Sequence, residues 1–349
     1  MLVQGNVACA EGAIKAGCRF FAGYPITPAS EIMNHMAKRM REVDGVFIQM
    51  EDEIASMACI IGASWAGRKA MTATSGPGFS LMQENIGFAA MTETPCVVID
   101  IQRAGPGTGQ ATKVAQGDVM QSRFGSHGDY ETIVLAPSSS QEMYDLTIRS
   151  FNLSERFRTP VIVLSDEKVG RVREEAVLGD PAVVDRKRER SEMPFGENSP
   201  MVSFGMGSEL LITGSTHDAR GYRKAQDPET QEWLTGKLRR KIEDHREEIF
   251  DYEIINGSAD SILVSFGIEA RACEEVCRRT GRFGLLKLKT LWPFDFDRVS
   301  ELLEGKRAVV VELNYGQLSM LVKSCHGDVV SLTKTNGEAI GPEEIIARV

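Results

Sequence analysis

The sequence predicts an α/β protein: a parallel sheet with helices on both faces, followed by a smaller C-terminal α/β domain. Three observations carry this expectation. "PCVVIDIQ", "ETIVLAP" and "PVIVLSD" are nearly continuous β-branched runs, the pattern of strands buried on both faces. Through residues 5–165 such runs alternate with helical patterns, as parallel sheets require. The same alternation returns near Ser258, after a charged and irregular stretch.

Along the chain, "NVACAEGAIKAG" reads as a helix with Asn6 as a possible cap and Gly17 as its stop. "CRFFAGY" is a short apolar strand. "PASEIMNHMAKRM" carries helical spacing after a proline suited to a first turn. "VFIQM" is a strand, and "DEIASMACIIGASWAG" is a helix rich in small residues. "KAMTAT" leads through "SGPGFS" into the helix "SLMQENIGFAAMTE". These elements give a first domain over residues 1–167. Residues 168–257 read as a linker and charged surface excursion with one helix, "TGKLRRKIEDHREEIFDYE", whose charges suit a solvated face. Residues 258–349 form the second domain, with strands "SILVSFG", "GLLKLKT", "RAVVVEL" and "DVVSLT".

At 349 residues the chain is long enough for about two cores. A net charge of −9 argues against nucleic acid or an anionic membrane as the main partner. There is no basic, then apolar, N-terminal signal and no apolar run near the ~20 residues of a membrane span, so a cytoplasmic setting is expected. Seven cysteines are scattered, odd in number and without C-x-x-C spacing. They signal neither disulfides nor a metal cluster, and buried free thiols are the expectation. Cys273 and Cys277, one helical turn apart, suit a core.

Ligands of open parallel sheets lie beyond the carboxyl ends of the strands. Four loops leave such ends here: "GYPITPAS", "QMEDE", "TSGPGFS" and "QRAGPGTGQAT". On residue type alone, Glu51, Asp52 and Glu53 suit a helix start favoured by the macrodipole. Thr27 suits a turn hydroxyl. Arg103 is either a surface arginine or a bidentate clamp for a carboxylate. Ser75 and Gly76 open a helix with free amides, a geometry that also suits phosphate. His127 in "GSHGDY" stays unassigned between a proton carrier, a coenzyme contact and a hydrogen-bonded loop residue.

"YPITPAS" resembles a signature of the 2-oxoacid:ferredoxin oxidoreductases, thiamine-diphosphate enzymes that make an acyl-CoA from a 2-oxoacid and coenzyme A. "QMEDEIASMACIIGASWAGRKAMTATSGPGFSLMQE", "MTETP", "QRAGPGTGQ", "GSHGDYE" and "LAPSSSQE" extend the resemblance, and "HDARGY" and "LWPFD" add to it. Together they look like the α subunit of the 2-oxoglutarate member, in its separate-subunit form. The resemblance implies a pyrimidine-type thiamine-diphosphate domain and a second domain of the transketolase C-terminal type.

It also implies roles. Glu53, followed nine residues on by Gly62, aligns with the glutamate that contacts the aminopyrimidine ring and favours its imino tautomer. Thr27 would bind the 2-oxoacid, Tyr24, Pro25 and Pro28 would stiffen its loop, and Arg103 would clamp the carboxylate. Gly105, Gly107 and Gly109 would let backbone approach closely, and Ser75 and Gly76 would line the same pocket. No "GDG" stretch for a magnesium-bound diphosphate is present, and no cysteine set suits an iron–sulfur cluster. The implied partners are therefore a β subunit holding the diphosphate, Mg2+ and a [4Fe-4S] cluster, a γ subunit, a ferredoxin-like δ subunit and ferredoxin. The implied reaction is reversible conversion of 2-oxoglutarate and CoA to succinyl-CoA. A pyruvate or branched-chain 2-oxoacid enzyme, or a non-catalytic scaffold, are the rival expectations.

Overall fold

The computed structural model describes residues 1–349. The chain begins β1 (Leu2–Gln4), α1 (Gly5–Lys15), β2 (Phe20–Gly23), α2 (Ser30–Glu42), β3 (Val46–Gln49) and α3 (Glu53–Trp65). It continues β4 (Ala70–Thr74), α4 (Gly76–Met91), β5 (Cys96–Gln102), α5 (Gln121–Phe124), β6 (Ile133–Leu135), α6 (Ser140–Phe157), β7 (Pro160–Asp166), α7 (Glu167–Arg171) and β8 (Arg173–Glu175). After an irregular stretch come α8 (Pro228–Glu243), α9 (Arg246–Ile249), β9 (Tyr252–Ile255), β10 (Ser261–Ser265), α10 (Gly267–Thr280), β11 (Gly284–Leu288) and β12 (Thr290–Trp292). The chain ends α11 (Phe296–Leu303), β13 (Arg307–Glu312), α12 (Gln317–Cys325), β14 (Val329–Thr333) and α13 (Pro342–Arg348).

The larger sheet has the order β12-β6-β7-β5-β4-β2-β3, parallel except for β12. Every residue of β4, β5 and β7 is buried, which explains why those segments show no alternation in sequence. One apolar cluster fills each face. Val97, Ile99, Ile101 and Val163 point toward α1, α2 and α6, and Val98, Ile162 and Leu164 point toward α3 and α4. The smaller sheet, β14-β13-β10-β11-β9, is parallel apart from its edge strand β9. Its core includes Cys273 and Cys277.

Several details differ from the sequence reading. Asn6 does not cap α1, whose cap is Gln4; Asn6 is wholly buried and points into the loop after β2. Tyr252–Ile255 already pairs with β11, so the second sheet starts before residue 258. Thr290–Trp292 crosses back onto the first sheet beside β6. The irregular stretch is not all surface, because Phe195 and Met201 enter the main core with Trp65. The charge run of α8 is not a solvated face throughout, since Lys237 turns inward with Leu234, Leu238 and Ile242.

The second unit grips one loop of the first. Gln116, fully buried, accepts from Leu313 N through Oε1 (3.1 Å) and donates through Nε2 to Phe266 O (3.0 Å). Asn314 Nδ2 donates to Gln116 O (2.7 Å), and Trp292 Nε1 donates to Val119 O (2.9 Å). Residues 114–119 are thereby fixed from outside their own sheet.

Candidate active site

The carboxyl ends of β2, β3, β4 and β5 lie side by side, so their four loops share one edge of the sheet. In the first loop, Tyr24 and Pro25 are exposed and Pro28 is buried. Tyr24 makes no hydrogen bond within the chain; Asn6 Nδ2, which donates to Pro28 O at 2.8 Å, and Arg103 tie the loop down instead. Thr27 is half-buried and its hydroxyl makes no hydrogen bond within the chain.

Arg103 leaves β5 into the glycine-rich turn. It donates through Nη1 to Thr27 O (2.8 Å) and through Nη2 to Thr108 O (3.1 Å), while its buried Nε has no partner. The guanidinium therefore joins two of the four loops and keeps donors to spare. The turn beyond it closes on itself: Gln110 N donates to Ala104 O (2.8 Å), and a Cβ on Gly109 would lie 1.9 Å from that oxygen. Only glycine fits there.

Glu53 opens α3. Asp52 is the cap, its carboxylate accepting from Ala55 N at 2.7 Å, which leaves Glu53 free of that duty. Glu51 is exposed. Glu53 is 5% exposed and its carboxyl has no side-chain partner in the chain. Burial chiefly raises its pKa, with Asp52 adding and its own amide and Arg103 opposing. Gly78, in the first turn of α4, lies directly against it: a Cβ there would meet Glu53 Oε1 at 2.3 Å and Thr74 Oγ1 at 2.2 Å. Glycine at this position leaves room for the carboxyl.

Ser75 caps α4 in extended backbone but makes no capping bond with its side chain. Its Oγ and that of Thr74 are buried without partners. Below them Asp100, wholly buried on β5 in register with Thr74, faces Asp118. Burial, then the Asp118 carboxyl, pushes Asp100 well up, and burial pushes Asp118 to about 6. The two carboxyls lie together behind the α4 start, beside Gly76.

Glu53, Thr27, Arg103, Ser75 and Gly76 thus share one edge. His127 does not join them. It is 87% exposed, 3.6 Å from Glu84, in a cavity of about 610 Å³ between α4, the 126–130 loop and residues 213–216. "HDARGY" is a turn, with Asp218 Oδ1 accepting from Arg220 N and Tyr222 N and buried His217 against Phe195. Asn6, Gly78, Asp100, Asp118 and Gln116 were missed in the sequence. Only Asp100 left a signal, as a lone acid in an apolar strand.

Residues 11–234 match the family described as pyruvate flavodoxin/ferredoxin oxidoreductase, thiamine diphosphate-binding, and residues 259–345 match pyruvate:ferredoxin oxidoreductase core domain II. The chain belongs to the 2-oxoacid:ferredoxin oxidoreductases. Among its relatives, the 2-oxoglutarate synthase subunit KorA of Methanocaldococcus jannaschii is 50% identical, over 98% of this chain and 97% of that one. The ketoisovalerate oxidoreductase subunit VorB of Methanothermobacter thermautotrophicus is 36% identical, over 100% and 96%. A solved 2-oxoglutarate:ferredoxin oxidoreductase from Magnetococcus marinus, with 2-oxoglutarate, coenzyme A and succinyl-CoA bound, superposes with a TM-score of 0.93 at 32% identity. This chain is covered completely and spans 64% of that longer one. The family match accounts for the pyrimidine-type fold, the parallel sheet and the thiamine-diphosphate assignment together.

Proposed function

We propose that this chain is the α subunit of a 2-oxoglutarate:ferredoxin oxidoreductase, converting 2-oxoglutarate and CoA to succinyl-CoA, CO2 and reduced ferredoxin. The observation that carries the reading is Glu53, a buried carboxyl without a side-chain partner, facing a gap kept open by Gly78. An aminopyrimidine ring fits the donor set, because a carboxyl that keeps its proton to higher pH can share it with a ring nitrogen. Thiamine diphosphate, when bound, supplies the electron sink for decarboxylation.

The chain's own residues do the rest. Glu53 holds the proton at the ring. Arg103 sets the Thr27 loop, and its remaining donors face the 2-oxoacid carboxylate. The free Thr27 hydroxyl orients the same substrate, with Tyr24 at the rim. Ser75 Oγ and the Gly76 amide offer donors at the α4 start.

Half of the site comes from elsewhere. Ile54, Ala58 and Gly62 repeat every four residues along the exposed face of α3, with exposed Leu81 on α4, leaving an apolar stripe next to Glu53. A β subunit carrying the diphosphate site, Mg2+ and a [4Fe-4S] cluster would cover it, and γ and ferredoxin-like δ subunits would complete the assembly. No helix is long and apolar enough to cross a membrane.

The test is reconstitution with the β partner, following reduction of a low-potential dye with CoA and a panel of 2-oxoacids. Preference for 2-oxoglutarate supports the reading. Preference for a branched-chain acid moves the chain to the ketoisovalerate class, and no turnover with any acid rejects catalysis.

A further inference from the structure

The opposite edge of the large sheet carries a second, separate cluster. Glu93 lies just before β5 and Arg158 just before β7, at the amino ends of the strands. Each strand is seven residues long, which puts this edge about 20 Å from the one that carries Glu53. Lys237 and Lys241 of α8 pack against both residues, and the 186–200 segment closes the side.

Charge is unbalanced there. Two carboxylates are buried there: Glu155, paired with Arg188, and Glu93, which accepts from Lys237 at 2.5 Å and from Lys241 at 3.1 Å. Burial opposes its ionisation, yet Lys241, Arg158 and Lys237 hold it down to about 2. Arg158, 4% exposed, gives Nη1 to Pro194 O (2.8 Å), Ser199 O (3.3 Å) and Pro200 O (3.4 Å), while Nε and Nη2 have no partner. Half-buried Arg186 donates only to backbone carbonyls, because neighbouring Glu155 is taken by Arg188. Glu197 at the mouth is exposed and paired with Arg240. Arg158, Arg186 and one of the two lysines thus lack a counter-charge, around a cavity of about 250 Å³.

An uncompensated buried cation is costly unless something pairs with it. A guanidinium with free Nε and Nη2 presents the fork that matches two oxygens of a tetrahedral anion. We propose that this cavity binds a phosphate group, free or as the end of a small ester, between Arg158, Arg186 and Lys241. The site lies on the far side of the sheet from Glu53 and is independent of the decarboxylation chemistry.

The test uses the assembled complex in phosphate-free buffer. Calorimetric titration and thermal unfolding are run with inorganic phosphate, with glycerol 3-phosphate, and with sodium chloride at matched ionic strength. Saturable binding and a raised unfolding midpoint with either phosphate probe, absent with chloride, is the expected result; the tighter probe identifies the source. Arg158→Gln and Lys241→Gln should weaken this binding at least tenfold. Should Arg158→Gln fail to assemble, Arg186→Gln, altered at the half-exposed wall, serves in its place with the same expected loss. A response equal to that of chloride, or phosphate binding undiminished in the assembled variants, overturns the proposal.

Discussion

Arg103 Nη1 donates to the carbonyl oxygen of Thr27 at 2.8 Å, across the gap between the loops that follow β5 and β2. A residue 76 positions away in sequence therefore sets the loop whose composition first stands out. Arg103→Lys keeps the charge but cannot reach Thr27 O and Thr108 O together. It should raise the KM for the 2-oxoacid about tenfold or more with a smaller change in kcat. Substrate saturation curves measure this, and a loss confined to kcat would reject the clamp.

Gly78→Ala tests the gap in front of Glu53. The new Cβ would overlap Glu53 Oε1, the end of a side chain that can swing away, and Thr74 Oγ1, which has to turn about χ1. The fold should survive and the carboxyl should move. A displacement of about 1 Å at a reacting group costs on the order of a hundredfold in rate. Circular dichroism should be unchanged while turnover falls by about that factor.

Glu269 predicts a pH dependence of stability. It is fully buried, with Oε1 accepting from Ile340 N at 3.1 Å, and burial raises its pKa from 4.5 to about 8. Below 4.5 the carboxyl is protonated in folded and unfolded chains alike. Between there and about 8 the unfolded chain gives up the proton and the folded chain keeps it, so stability falls as pH rises. Glu269→Gln keeps the acceptor and removes the slope. Its stability relative to the unsubstituted chain should increase from pH 4.5 to pH 8 by roughly a few kcal/mol, read by denaturant unfolding at several pH values. A difference that stays flat with pH would contradict this.

Gln116→Ala separates the two sheets energetically. It leaves Leu313 N and Phe266 O buried without their partners, at roughly 1–3 kcal/mol each. Thermal unfolding should show the loss. The 2-oxoacid KM should rise with it, because Gln116 holds the loop that begins at Arg103.

The parallel strands and the helices between them were legible because both-face burial leaves uninterrupted apolar runs such as "CVVIDIQ". The sites at their ends were legible because Tyr24–Ser30 and Gly105–Gly109 are too specific for plain connectors. Partners distant in sequence were not. Nothing around Asn6 says that it reaches Pro28, nor around Trp292 that it reaches Val119. The inward turn of Lys237 was hidden for a related reason, since its charge run reads as solvated until Glu93 is seen beside it. Gly78 carried no role in the sequence, and only the packed structure gives it the Glu53 carboxyl as a neighbour.

The most direct measurement is turnover of Glu53→Gln in the reconstituted complex, with thiamine diphosphate binding and subunit assembly monitored on the same sample. Glutamine preserves shape and hydrogen bonding but cannot exchange the proton. Assembly and cofactor binding should persist while turnover falls by about 10²- to 10⁴-fold. Near-normal turnover in the assembled variant would contradict the assignment of Glu53 and the account built on it.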